Sequence, residues 1–120
     1  MLANYGNLCL GLRSAQALLT QAAQSFEDAW QQGRALTEKQ RGHCALDIAA
    51  AKVTTSRVAL DVTNKMFEVM GSRATSGAAR LDRFWRNVRT HTLHDPIDYK
   101  VQEIGNWALN RTIPTPTFYS

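Results

Sequence analysis

Apolar residues recur along the chain at three- and four-residue steps. Leu8, Leu12, Ala15, Leu19, Ala22, Phe26 and Trp30 trace the stripe of one amphipathic helix over roughly residues 4–33. Gly33 supplies a stop. Thr37-Glu-Lys-Gln40 then has the form of a capping box, in which the Thr hydroxyl and the Gln side chain satisfy backbone donors that a first helical turn leaves orphaned. A second helix is therefore predicted over about 38–70. It carries one stripe of Cys44, Ile48, Ala51, Val58, Val62, Met66 and Val69, and a second of Leu46, Ala50, Val53, Leu60 and Phe67. Apolar surface that wide needs more than one neighbouring helix. The alanines between 45 and 59 permit close helix approach and raise helix propensity. Gly71 falls where a helix ends in a left-handed residue.

Gly71-Ser-Arg-Ala-Thr-Ser-Gly-Ala-Ala79 is small and polar and reads as a turn, after which Leu81, Phe84, Trp85, Val88 and Thr92 restore helical spacing. The third helix is expected over about 77–92. Asp95-Pro96 is a start signal, Asp as N-cap and Pro at the first helical position, and Ile97, Val101, Ile104 and Ala108 stripe a fourth helix over about 96–109. Beyond it, prolines alternate with β-branched residues, so 111–120 should be an extended tail ordered only by docking. No internal repeat and no strand pattern interrupts the series. The expected fold is all-α, an antiparallel up-down helical bundle over 1–110 with the tail packed on a neighbour.

Composition changes this picture little. A chain of 120 residues with 44% hydrophobic and 20% charged residues has room for one domain and one core, which sets aside disorder, collagen and disulfide scaffolds. Charged and polar residues interrupt every apolar run well short of the roughly 18 residues of a membrane span. The first residues, Met-Leu-Ala-Asn-Tyr-Gly6, lack the basic region of a secretory signal, and a cytoplasmic location is the expectation. Cys9 and Cys44 lie in apolar helix patterns and are expected to be buried free thiols. The net charge of +4 is dispersed, except for Arg73, Arg80, Arg83, Arg86 and Arg89.

That cluster points to the third helix. At helical spacing Arg80, Arg83, Asn87, His91 and His94 form a polar stripe, while Leu81, Trp85, Val88 and Thr92 lie on the packing flank. Asn87 and His91 are four residues apart, so an amide and an imidazole can face one ligand atom. Imidazole is the side chain whose unperturbed titration lies nearest neutrality. The plainer reading is a solvated face, with His94 favoured by the helix C-terminus and the arginines paired with Asp82 and Asp98. His91-x-x-His94-Asp95 offers two imidazoles and a carboxylate, but His43 and Cys44 lie on another helix, so no metal site is expected. No Ser or Cys stands beside a His with an orienting carboxylate, which argues against nucleophilic catalysis. Gly71 to Gly77 lacks the Gly-Lys-Ser/Thr ending of a P-loop, yet such a turn can offer backbone N–H groups and Arg73 to a phosphate. Phe84 and Trp85 are spaced for packing rather than for base stacking, so no nucleic-acid partner is expected.

The segments Phe67-Glu-Val-Met-Gly-Ser-Arg-Ala-Thr75 and Asp82-Arg-Phe-Trp-Arg-Asn-Val-Arg-Thr-His-Thr-Leu-His-Asp-Pro96 resemble the C-terminal helical domain of the acyl-CoA dehydrogenase superfamily. More narrowly, they and the closing Pro114-Thr-Pro-Thr-Phe-Tyr-Ser120 look like the FMN-dependent two-component monooxygenases of the dibenzothiophene monooxygenase type. The resemblance implies reduced FMN supplied by a separate flavin reductase, a C4a-(hydro)peroxyflavin as oxidant, and an aromatic or organosulfur small-molecule substrate. It matches His91 to the histidine that hydrogen-bonds the oxidised flavin adduct, with Asn87 beside it and His94 as the second candidate. Gly71 and Arg73 take a phosphate-facing role, commonly across a subunit boundary. A bundle lacking one of its family helices should expose apolar surface, and the doubly apolar second helix makes association the remedy, so a homo-oligomer is expected. Acyl-CoA dehydrogenases that draw a base from this region carry a glutamate followed by glycine. Here the place reads His94-Asp95-Pro96, which disfavours that reaction. A complete family member also has an N-terminal helical domain, a middle β-domain holding much of the flavin and one further helix, so the 120 residues resemble the last third of an enzyme. The competing class is a helical module that serves only oligomerisation or partner binding.

Overall fold

A computed structural model describes residues 1–118, and within them four α-helices and two short 3₁₀ turns follow one another without a strand. Helix α1 spans Leu2–Gln32, α2 Glu38–Met70, α3 Asp82–His94 and α4 Ile97–Asn110. The main packing partner of α1, α3 and α4 alike is α2. At 1.5 Å per residue its 33 residues reach about 50 Å, which accounts for most of the molecule's 56 Å length. The core sits on its N-terminal half, where Cys44, Leu46, Ala49, Ala51 and Val53 are buried on several sides of the helix. Ala49 is 1% exposed, so neighbours approach to the methyl group itself.

The helix starts from the capping box read in the sequence. The Thr37 hydroxyl accepts from the Gln40 backbone N–H at 3.2 Å, and the Gln40 side chain accepts from the Thr37 N–H at 2.9 Å. It ends at Gly71, whose φ of 80° is positive but whose ψ of 175° is extended rather than left-handed helical, a conformation essentially reserved to glycine.

The α1 stripe divides. Ala15 and Ala22 are buried and Leu8 half-buried against α2, whereas Leu12, Leu19, Phe26 and Trp30, equally part of the predicted stripe, are exposed. One partner helix covers only the narrower half of a broad apolar face. Cys9 lies outside the covered strip and is exposed, correcting the expectation of a buried thiol; Cys44 is buried.

The third helix begins at Asp82 rather than near residue 77. Ser76 explains the delay: its hydroxyl accepts from Ala78 N–H at 3.2 Å and its carbonyl from Ala79 N–H at 3.0 Å, a local turn that competes with helix. Arg80 follows with φ 51°, so it is not on α3, and the predicted stripe starts at Arg83. Asp95-Pro96 also shifts by one position. Pro96 occupies the N-cap place and Asp95 closes α3 without capping α4, because its carboxylate pairs with the half-buried Lys52 ammonium of α2. Arg111, left-handed at φ 59°, ends α4 and turns the chain back. The tail is extended, but it docks on α2 of its own chain: Pro114 is buried and Arg41 donates to the Pro114 carbonyl. Tyr119 and Ser120, the end of the predicted tail, lie outside the described residues.

Candidate functional site

Helix α3 presents Asn87 and His91 one turn apart, and both are exposed. Its last residue, His94, is exposed too but differs in setting, because it lines a cavity of about 530 Å³ with Asp95, Pro96, Tyr99, Lys100 and Thr117. His91 and Asn87 are not on its wall. The expected polar stripe therefore parts at its C-terminal end, with one histidine at the cavity and the other on the open helix face.

A second cavity of about 630 Å³ adjoins the first, with Asp95 and Lys100 common to both walls. Phe26, Trp30, Leu36, Cys44 and Ile48 make it largely apolar, and Pro116 contributes from the tail. Where the cavities meet, charge is concentrated. Lys52 pairs with Asp95, their side chains 23% and 28% exposed, and Lys100 lies 3.3 Å from Glu103. Burial, and secondarily the charge of Lys100, push the Lys52 ammonium below its ordinary pKa in spite of the Asp95 contact.

Lys52, Tyr99, Lys100 and Thr117 were not singled out by sequence pattern. Two of them carried a signal. Lys100 falls three residues after Ile97 on the apolar stripe of α4, and Lys52 continues the Cys44–Ile48 spacing on α2, so each is a cation written into a packing face.

Gly71 and Arg73 are elsewhere. They form the turn Ser72–Thr75 with its entry residue, closed by Ala74 N–H to Gly71 carbonyl at 3.0 Å and Ser76 N–H to Arg73 carbonyl at 3.2 Å. Arg73 is exposed and in no ion pair among the described residues. No atom lies within 4 Å of where a Cβ would stand on Gly71 or Gly77, so the turn can be approached closely. The 12 steps of α3 separate the start of that helix from His94 by about 18 Å along the axis. The structure thus brings Asn87, His91 and His94 onto one helix and leaves Gly71 and Arg73 beyond its far end.

The remaining arginines are partly engaged. Arg86 pairs with Asp82 at 2.7 Å, as the solvated-face reading expects, and the Arg83 guanidinium lies 4.9 Å from the Phe84 ring centre. His43 packs edge-on against Trp107, with centroids 4.8 Å apart, and belongs to the α2–α4 contact. Among the described residues His, Cys, Asp and Glu side chains nowhere gather in threes, and no helix is long and apolar enough to cross a membrane.

Four similarities bear on this arrangement. The chain is 50% identical to a probable FMNH2-dependent monooxygenase of Pseudomonas putida, over all of this chain and 30% of that protein. It superposes with a TM-score of 0.95 on a methanesulfinate monooxygenase of Pseudomonas fluorescens, at 50% identity over 99% of this chain and 31% of that one. It superposes at 0.93 on TdsC from Paenibacillus sp. A11-2, solved with FMN and indole, at 42% identity over 99% of this chain and 30% of that one. The chain therefore spans about 30% of the length of each. The family model described as acyl-CoA dehydrogenase, C-terminal domain, matches residues 4–99, four-fifths of the sequence and all of α2 and α3. An all-helical chain so matched belongs to the acyl-CoA dehydrogenase C-terminal domain family.

Proposed function

We propose that this chain is the C-terminal part of a cytoplasmic monooxygenase that uses reduced FMN, supplied by a separate reductase, to oxygenate an aromatic or organosulfur small molecule. The observation that carries the proposal is the similarity over 99% of the chain to the relative solved with FMN and indole. Bound reduced FMN supplies the electrons for oxygen activation. The chain's own residues supply hydrogen bonds, charge and walls.

In this reading His94 holds and returns a proton at an imidazole nitrogen, because it is the histidine at a cavity wall. Tyr99 adds a hydroxyl to the same wall. His91 and Asn87, given the leading role on sequence grounds, offer an imidazole and an amide to a group lying along the open face of α3. Gly71 and Arg73 suit a phosphate: an unpaired guanidinium beside backbone open to close approach is the donor set such a group needs. Lys52, paired with the aspartate next to His94, stands 18 residues before Met70 on α2, so the turn that follows Met70 lies about 27 Å along that helix from the His94 corner, beyond the reach of FMN's five-carbon arm. The turn and the histidine therefore serve different flavins, which requires a homo-oligomer. The exposed Tyr5, Leu12, Leu19 and Phe26 support association with a second copy, since their seven-residue spacing on α1 is the repeat that lets two such helices mesh.

Titration of the 120-residue chain with FMN by flavin fluorescence, repeated anaerobically with reduced FMN and alongside mass by light scattering, tests this. Saturable binding by an oligomer, weakened about tenfold by Arg73→Ala, is the expected result; tenfold corresponds to about 1.4 kcal/mol, the strength of one charge-assisted contact. An oligomer that binds neither form of FMN favours the second reading, an assembly module without catalysis, which the exposed α1 stripe alone would suit.

A further inference from the structure

The C-terminal tail is held more specifically than an extended segment of this composition requires. Gly42 lies in the second turn of α2, where glycine weakens a helix relative to alanine. Its use is steric: a methyl group there would overlap the Ile113 side chain, which occupies the space a Cβ would take. The preceding residue, Arg41, donates through Nη2 to the Pro114 carbonyl, and Pro114 is buried. Two successive residues of α2 thus grip two successive residues of the tail.

Beyond that grip the tail has a definite route. Arg111 reverses the chain at the end of α4, and the 14 residues of α4 measure about 21 Å. The six steps from Arg111 to Thr117, extended at about 3.3 Å each, cover nearly the same distance. The tail retraces α4, so Thr117 arrives at the His94 end and lines the His94 cavity, while Pro116 lines the larger apolar one. One segment walls both cavities.

We infer that the tail is a strap latched at Gly42–Ile113 and Arg41–Pro114, and that its undocking opens both cavities together and so determines which apolar small molecules reach them. Gly42 is on the wall of neither cavity, and a methyl group on it would meet only Ile113, so a perturbation there reaches the cavities through the tail. Cys44 supplies a reporter inside the larger cavity: it is buried, lines the wall and lies two residues from the latch.

The test is the rate at which neutral 4,4′-dithiodipyridine modifies Cys44 in the full chain carrying Cys9→Ser, which removes the exposed thiol. Gly42→Ala, which expels Ile113, is expected to raise that rate at least tenfold while far-UV circular dichroism is unchanged. Adding Ile113→Ala to Gly42→Ala clears the overlap and should bring the rate back toward that of the parent. Should Gly42→Ala fail to fold, Ile113→Ser removes the apolar anchor without touching α2 and is expected to give the same rise. A Cys44 rate that neither Gly42→Ala nor Ile113→Ser increases overturns the inference, as does a double variant no slower than Gly42→Ala. The readout uses no flavin, so its failure and the failure of the monooxygenase reading are separable.

Discussion

Asp95→Asn is the most informative single change outside the tail. The substitution keeps the size and hydrogen-bonding outline of the side chain and removes its charge, leaving the Lys52 ammonium beside Lys100 without its carboxylate. The Lys52 and Asp95 side chains are 23% and 28% exposed, so the pair stands between an exposed pair, worth roughly 0–1 kcal/mol, and a fully buried one, whose breakage costs roughly 3–5 kcal/mol. About 2 kcal/mol is the expected loss. With a urea m-value of roughly 2 kcal/mol/M for a chain of this size, the unfolding midpoint falls by about 1 M at pH 7. Adding Lys52→Met replaces the orphaned ammonium with an apolar chain of similar length, and the double variant should lose less than Asp95→Asn alone. The pH dependence has a definite sign. The native state already lowers the Lys52 pKa, so as pH rises the folded chain releases this proton before the unfolded chain does. Between the two values the unfolded state binds more protons, and stability from this group increases with pH until the ordinary lysine value, roughly 10.4, is passed. Asp95→Asn deepens the lowering and should recover part of its loss between neutral pH and that value, a recovery absent when Lys52→Met is also present. A midpoint change under about 0.3 M, or a double variant as weak as the single one, would refute the reasoning.

Two further changes probe the rest of the molecule. Leu12→Gln, Leu19→Gln and Phe26→Gln together, at positions 51%, 57% and 54% exposed, should leave the fold intact and abolish association in light scattering. Burying the exposed half of each on association is worth about 1 kcal/mol, roughly 6 kcal/mol across two copies. Thr37→Ala removes the hydroxyl half of the capping box and should cost about 1 kcal/mol, read as a melting temperature lower by about 4 °C.

The helical order was legible because each signal rested on local chemistry. Thr37 and Gln40 cap α2 by contacts three residues apart, and Gly71 ends it through its own backbone freedom. What the sequence left hidden depended on partners distant in the chain. Asp95 carries every local mark of an N-cap, yet it pairs with Lys52, 43 residues away, and the cap geometry moves to Pro96. Leu12 and Ala15 belong to one stripe by periodicity, but only the position of α2 decides that Ala15 is covered and Leu12 is not. Arg80 shows the limit of spacing itself, since it matches the α3 period and lies in a turn that Ser76 stabilises. His91 and His94 are equivalent in pattern, and the cavity beside His94 exists only once α4 and the tail have folded back.

The position of His94 follows from contacts that also hold the fold. Only Asp95 and Pro96 stand between α3 and α4, and Pro96 fixes its own φ, here −58°, so the junction has little freedom. Asp95 is in turn tied to Lys52 on the buried half of α2. His94 precedes this tethered aspartate directly and is the final helical residue of α3, so its Cα moves only if the Lys52–Asp95 pair opens or the last turn of α3 unwinds. The proton role proposed for His94 would need that kind of restraint, because its hydrogen bonds must be aligned before a ligand arrives. The Lys52 pKa is lowered by burial and by Lys100 against the pull of this tether, so the α3–α4 corner, and the histidine on it, are held to α2 by an ammonium that has given up part of its hydration.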